Sequence, residues 1–574
     1  MNTLASRNSN TLWCSVLVET LVQEGLRHVV VSPGSRSTAL TVAFVAHEAV
    51  NVIPVLDERS AGFFALGLAR RSHQAVVLVC TSGSAAAHYL PAIIEAHESG
   101  GALIVISADR PPELRDCASG QTIDQHKLFG NYASWFHELA LPEANLGLLR
   151  YLRQTMRQAW RRAATRGPVH LNAPFRDPLP PLCDDGASAK VAAQIQADFF
   201  QYDTELRTTE ASLRLHQRIT TTRGVMIAGP AQTVDAAHYV ERIAALARAT
   251  GWPILADVLS PLRQATPAGI TLITSYDTIL RNDTLARDLT PRFVIALESW
   301  PTSKVLRQWL ESSQAEMLMI SPRAGSRDAI HGKTREITAA ATALVIDGAA
   351  PADPSYVNAW RDSEQRVRGA LDHWFEKNPS LIFEGRVAWL LGKHAPDGSA
   401  VCVANSMPVR DLEYFWSSSN RGLEVYSSRG GNGIDGTLST AIGVAHESGR
   451  PTFLLTGDLA FLHDSNGLML AKELSGNLTV IVINNDGGGI FEHLPISQFE
   501  PPFERYFATP QSVDLGALCA AHKVDFERVD GWPALLDVIN NPSASGLRVR
   551  EVATDRKADA ALRKRLFRDA AKTK

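Results

Sequence analysis

The chain has 574 residues, 45% of them hydrophobic and 20% charged, with a formal net charge of −3. That length implies three or four domains of ordinary size, and that charge excludes a general nucleic-acid or membrane-surface binder. Cys14, Cys80, Cys117, Cys183, Cys402 and Cys519 form no CxxC pair, no apolar run approaches a bilayer span of ~20 residues, and the amino-terminal MNTLASRNSNTLW lacks the layout of a secretion signal, so the expected location is the cytoplasm.

Thr11–Gly25 has the spacing of an amphipathic helix. His28–Val31 reads as a strand feeding Ser32-Pro-Gly-Ser-Arg-Ser-Thr38 and a helix over Ala39–His47. A strand, a Gly/Ser loop and a helix make an anion-binding layout, with Arg36 as a charged fork; an ordinary turn with a surface arginine has the same pattern. Strands are expected at Asn51–Leu56, Ala75–Cys80, Ala102–Ser107 and Pro168–Leu171, with helices at Ala61–Arg71 and from Ala87 to His97. This alternation predicts a parallel sheet covered on both faces, with the polar loops SPGSRST, DER, TSGS and ADRPPE at the carboxyl ends of its strands. Asp177–Ser188, rich in proline, reads as a linker.

The middle of the chain repeats the style, with strands expected at Gly224–Ala228, Ile254–Ala256, Phe293–Leu297 and Met317–Ile320. Lys304 is its one notable cation, and from the local sequence solvated surface is the simpler reading of it. Gly348–Ser355 reads as a second linker, followed by a helix over Tyr356–Lys377. In the last third, strands are expected at Ala400–Ala404, Leu423–Tyr426, Pro451–Leu455, Leu478–Ile483 and Leu547–Val552, with a helix over Ala460–Leu474 and a basic, solvated carboxyl-terminal helix. AHESGGALIVISAD (96–109) echoes AHESGRPTFLLTGD (445–458), which fits first and last domains of one fold with an aspartate after the same strand.

Pro451–Leu455 runs into Gly457-Asp458, and Leu478–Ile483 runs into Asn484-Asn485-Asp486-Gly487. Both turns place oxygen ligands past the carboxyl ends of parallel strands, where open α/β sheets bind ligands. A carboxylate, an amide oxygen and glycine carbonyls suit a hard cation of the Mg²⁺ type, although Asp, Asn and Gly also make ordinary turns. Gly431-Asn-Gly433-Ile-Asp-Gly436 matches GxGxxG between a strand and a helix, so a dinucleotide site remains a rival. Glu58 reads either as a helix-start acid or as a tuned carboxyl group for proton transfer. Arg36, Arg110, Arg410 and Arg429 each follow a strand, a placement suited to substrates with several carboxylates. GxxxxGK[ST], HExxH and GxSxG are absent.

On SPGSRST (32–38), LDERSAGFFALGLA (56–69), TSGSAAAHYLPAIIEA (81–96), SADRPPELRDCASGQTID (107–124), NSMPVR (405–410), SSRGGNGIDG (427–436), GDLAFLHDSNGL (457–468) and INNDGGGIF (483–491), the chain resembles the thiamine diphosphate-dependent enzymes. Within them it is similar to the branch that decarboxylates 2-oxoglutarate and joins the succinyl-semialdehyde fragment to isochorismate on the way to menaquinone or phylloquinone. The resemblance implies three doubly wound α/β domains: pyrimidine-binding (1–185), central (186–352) and diphosphate- and metal-binding (353–574). It implies thiamine diphosphate with Mg²⁺ or Mn²⁺ on Asp458, Asn485 and the Gly487 carbonyl, between the first domain of one subunit and the last of another, hence a homodimer or homotetramer. Glu58 would activate the cofactor, Ile434 would prop it in a bent shape, and Ser406, Gly433, Gly457 and Ile490 would complete its site. The substrate positions carried over are Ser35, Arg36, Arg110, Gln121, Lys304, Ser406, Arg410, Arg429, Phe491 and Leu494, with Arg36, Gln121, Arg410 and Arg429 assisting Glu58 in catalysis. Lys304-Val305 stands where the family pattern has Lys-Arg, which leaves open how a second cation is supplied. An acetolactate-synthase type of carboligase is the nearest rival within the family.

Overall fold

The computed structural model describes residues 4–201, 213–215, 221–323, 327–346 and 350–572. Met1–Thr3 of the amino-terminal stretch and Gly348-Ala349 of the second expected linker lie outside the described residues.

Three six-stranded parallel sheets carry the fold. The first holds β1 (His28–Val31), β2 (Asn51–Pro54), β3 (Val76–Cys80), β4 (Leu103–Asp109), β5 (Trp135–Glu138) and β6 (Val169–Pro174) in the order β2-β1-β3-β4-β6-β5. β7 (Leu213–Leu215) pairs with β14 (Leu344–Ile346) beside the second sheet. That sheet holds β8 (Gly224–Ala228), β9 (Ile254–Ala256), β10 (Leu272–Ile273), β11 (Phe293–Leu297), β12 (Glu316–Ser321) and β13 (Lys333–Thr338) in the order β10-β9-β8-β11-β12-β13. The third holds β15 (Ala400–Val403), β16 (Glu424–Tyr426), β17 (Thr452–Gly457), β18 (Asn477–Asn484), β19 (Asp525–Arg528) and β20 (Gly546–Ala553) in the order β16-β15-β17-β18-β20-β19. Central strands such as VVLVC in β3 are apolar throughout because helices cover both faces. The expected α/β class of three doubly wound sheets is borne out.

The first and third sheets have the same strand order, yet the sequence echo is not its trace. In that order β4 corresponds to β18, whereas the echo aligns β4 with β17. What the echoed stretches share is local: each ends a helix on a left-handed glycine, Gly100 (φ 79°) or Gly449 (φ 60°), before a buried strand. The aspartates after them therefore do not occupy the same place in the two sheets.

The topologically equivalent helices Glu58–Ser72 and Thr437–Ser448 pack directly on each other. A Cβ on Gly67 would lie 2.1 Å from the Thr440 carbonyl oxygen, and one on Gly443 would lie 2.2 Å from that of Phe64. The two backbones meet where no side chain fits.

Two further expectations change. The Ala460–Leu474 helix is broken: Asp458–His463 is α-helical, and Ser465–Glu473 is a 3₁₀ segment. Between them, buried Asp464 turns its carboxylate to accept from Ser439 N (2.7 Å) and Ser439 Oγ (3.0 Å), which stops the first helix. The carboxyl-terminal helix Arg556–Lys572 is not a solvated face, because Arg556, Asp559, Leu562, Arg563, Leu566 and Phe567 are buried.

Candidate active site

The carboxyl ends of β15, β16, β17 and β18 open into a cavity of about 610 Å³. Its floor is built by the turns after β17 and β18. Asp458 and Asn485 are both buried. The Asp458 carboxylate accepts from Gly487 N at 2.8 Å, which joins the two turns. At Gly487 φ is 131° and a Cβ would lie 2.3 Å from the Ala508 carbonyl oxygen, so only glycine fits. Burial, with no basic side chain among the described residues within ion-pair distance, pushes the Asp458 carboxyl up to about 6. Asn485 Nδ2 donates to Glu384 at 2.9 Å, while Asn485 Oδ1 is buried with no partner. An unsatisfied amide oxygen beside an uncompensated carboxylate is what a hard cation would satisfy. Among the described residues no group of three or more His, Cys, Asp and Glu is placed to hold a metal, so a site here rests on one carboxylate, one amide and backbone.

Asn405, after β15, organises the next wall. Its Nδ2 donates to the Ser428 and Gly433 carbonyls, each at 2.7 Å, and its Oδ1 accepts from Arg429 Nη1 at 2.7 Å. Ser406 has φ 72° and ψ −131°, a strained backbone for a non-glycine residue, and its carbonyl accepts from Arg410 Nη1 at 2.6 Å. Burial lowers the pKa of both Arg410 and Arg429, and repulsion from Arg307 lowers each further. Arg307 stands in the helix Lys304–Ser313 of the second sheet's layer and lines the cavity with Glu298, Trp300 and Arg327.

Ten of the expected site residues line this cavity: Ser406, Arg410, Arg429, Ile434, Gly457, Asp458, Asn485, Gly487, Ile490 and Phe491. Gly433 lies behind it, its carbonyl held by Asn405. Leu494 is 42% exposed outside it, and Lys304 is exposed one helical turn before Arg307.

The remaining expected residues gather at the carboxyl end of the first sheet. Arg110 Nη1 donates to Ser82 Oγ at 2.7 Å, and Gln121 Nε2 donates to the Ser82 carbonyl at 2.9 Å. Buried Arg36 donates to the Phe175 carbonyl and leaves its Nε unpartnered; burial, then Arg110, lowers its pKa. Ser35 is exposed on the same loop. Glu58 is the acidic first residue of its helix, as the helix-start reading expects, and Asp57 caps that helix by accepting from Arg59 N. Glu58 is half-buried, and its charge adds to burial in raising the Cys80 thiol. None of Ser35, Arg36, Glu58, Arg110 and Gln121 lines the cavity of the third sheet. The expected site residues thus fall into two groups, one at the carboxyl end of the first sheet and one at that of the third.

The family description "Thiamine pyrophosphate enzyme, N-terminal TPP binding domain" matches residues 14–128, "Middle domain of thiamine pyrophosphate" matches 193–399, and "Thiamine pyrophosphate enzyme, C-terminal TPP binding domain" matches 412–540. The chain belongs to the thiamine pyrophosphate enzymes. Among relatives, it is 46% identical over 567 residues to the 2-succinyl-5-enolpyruvyl-6-hydroxy-3-cyclohexene-1-carboxylate synthase of Synechococcus elongatus, covering 98% of this chain and 97% of that protein. Proteins of the same name from Synechococcus sp. (strain JA-3-3Ab) and Acaryochloris marina are 47% and 44% identical, covering 98% and 100% of this chain and 96% and 100% of theirs. Membership among the thiamine pyrophosphate enzymes sets aside the dinucleotide reading of Gly431–Gly436 and makes thiamine diphosphate the cofactor. Arg307, Asn405 and Glu384 of this enzyme were not singled out from sequence. Only Asn405 carried a signal, as the residue before Ser406 at the end of a strand.

Proposed function

We propose that this thiamine diphosphate enzyme decarboxylates 2-oxoglutarate and adds the fragment in 1,4 fashion to isochorismate. The products are 2-succinyl-5-enolpyruvyl-6-hydroxy-3-cyclohexene-1-carboxylate and CO₂, in menaquinone or phylloquinone biosynthesis. The observation that carries this reading is the cavity in which Arg307, Arg410 and Arg429 stand over Asp458, Asn485 and Gly487. Guanidinium forks bind carboxylates bidentately, and both proposed substrates are acids. The near full-length similarity to synthases of that name supports it further.

When bound, thiamine diphosphate supplies a nucleophilic carbon and an electron sink for loss of CO₂. Asp458, Asn485 and the Gly487 carbonyl would hold Mg²⁺ or Mn²⁺, which neutralises the diphosphate. Ser406, Gly433, Ile434, Gly457 and Ile490 would shape the rest of the cofactor site. Glu58 would hold and move the proton of the aminopyrimidine ring. Arg410, Arg429 and Arg307 orient substrate carboxylates and Phe491 excludes water, while Leu494, exposed outside the cavity, would reach substrate only in the assembly. Ser35, Arg36, Arg110 and Gln121 would complete the pocket from the first domain of a second copy, in a homodimer or homotetramer. Lys304 would also need that assembly to reach substrate. Six unpaired cysteines fit a reducing cytoplasm. Among the described residues no helix is long and apolar enough to cross a membrane.

The test is an assay of purified protein with thiamine diphosphate and Mg²⁺. Consumption of isochorismate that depends on 2-oxoglutarate is expected. Turnover of pyruvate with no loss of isochorismate would instead assign an acetolactate-synthase type of reaction.

A further inference from the structure

Asn485 can serve a cation only if its amide is turned with Oδ1 toward the cavity, and nothing within the Asn485 turn fixes that choice. The fixing group comes from elsewhere in the chain. Glu384 is 4% exposed and stands just before the helix Gly385–His394. Its Oε2 accepts from Asn485 Nδ2 at 2.9 Å, and its Oε1 accepts from Arg563 Nη2 at 2.7 Å. Arg563, 1% exposed in the carboxyl-terminal helix, also donates from Nε and Nη2 to Asp411, each at 3.0 Å. Glu384 N donates to Asp559 of the same helix at 3.2 Å. Burial raises the pKa of the Asp411 and Asp559 carboxyls, and the Arg563 guanidinium opposes the rise in both. Both oxygens of Glu384 are thus committed as acceptors, one to a fixed guanidinium and one to the amide nitrogen of Asn485. The Asn485 oxygen is left buried without a partner, in a residue that lines the cavity.

We infer that Glu384, clamped by Arg563, is a positioning residue that sets the amide of Asn485 with its oxygen toward the metal position. This rests on the metal reading of Asp458, Asn485 and Gly487 given above. Groups behind a ligand commonly govern metal affinity by about 10- to 100-fold when removed.

The polarity of the pair gives a test that size alone would not. In Glu384→Gln the side chain keeps its volume but has one acceptor and one donor end. Arg563, held by Asp411, takes the acceptor end, so an NH₂ group faces Asn485 and turns its amide the wrong way round. In Glu384→Gln/Asn485→Asp, the new carboxylate accepts from that NH₂ group with one oxygen and offers the other to the metal. Binding of Mn²⁺ is measured by electron paramagnetic resonance, with saturating thiamine diphosphate and no substrate. The single variant is expected to bind Mn²⁺ at least about tenfold more weakly than the wild type, and the double variant to regain affinity to within about tenfold of it. A single variant that binds within tenfold of the wild type overturns the inference, as does a double variant no better than the single. If the single variant fails to fold, the double variant, with every polar partner restored, decides by the same tenfold limit. Wild-type protein that binds no Mn²⁺ under these conditions would instead remove the metal reading itself.

Discussion

Arg307 stands one helical turn beyond Lys304 and reaches the wall that holds Arg410 and Arg429. Its Nε is buried without a partner, and among the described residues no carboxylate lies within ion-pair distance of it. A guanidinium left in that state beside two others is ready for an acidic ligand. Arg307→Met is expected to raise KM for 2-oxoglutarate or isochorismate by roughly 10- to 100-fold, the worth of a charged hydrogen bond. Steady-state kinetics with both KM values within twofold of the wild type would remove Arg307 from the site. Asp458 and Asn485 were legible in the sequence because each follows an apolar strand, with glycine one residue before Asp458 and two after Asn485, so chemistry and turn coincide in a few residues. Arg307 and Glu384 were not. Each lies in an ordinary helical context, and only tertiary packing brings it to the cavity from outside the motif.

Asp464 shows how one buried acid divides an element whose periodicity reads as continuous. It is fully buried, and burial pushes its carboxyl up to about 7 despite the hydrogen bonds from Ser439. A carboxyl group raised in the folded state favours folding below its unfolded value of 3.8, and that contribution is lost as pH rises through about 7. Over that window the change is of order 4 kcal/mol. Asp464→Asn keeps the acceptor for Ser439 N and removes the titration. Thermal melts between pH 4 and 7 should therefore show a smaller loss of stability with rising pH in the variant than in the wild type. Parallel curves would mean that Asp464 does not titrate there. Where elements were missed, the cause is similar in kind. β13 and β19 are edge strands with mostly exposed or half-exposed residues, KTREIT and DFER, and carry no apolar run to signal them. The Arg556–Lys572 helix has the composition of a solvated face because the buried acids that receive Arg563 (Glu384 and Asp411) lie far from it in the chain.

On the scale of the molecule, the first and third sheets share one topology and are locked together by a helix crossing at Gly67 and Gly443. The two groups of expected site residues nevertheless lie apart on one chain, which under the proposed function calls for assembly across subunits. Co-expression of differently tagged Glu58→Gln and Asp458→Ala chains tests this. Each alone should be nearly inactive. A mixed dimer should contain one site with both changes and one with neither, so a freely mixed population should regain about a quarter of wild-type turnover. No recovery in purified mixed dimers would mean that both halves of a site come from the same chain.

The docking of the Arg556–Lys572 helix has a consequence in time. A chain leaves the ribosome amino end first, and its domains fold as they emerge. All six strands of the third sheet, together with Asp458 and Asn485, are synthesised before Arg563. Orientation of the Asn485 amide through Glu384 therefore depends on the docking of a helix that follows every strand of the third sheet in the chain.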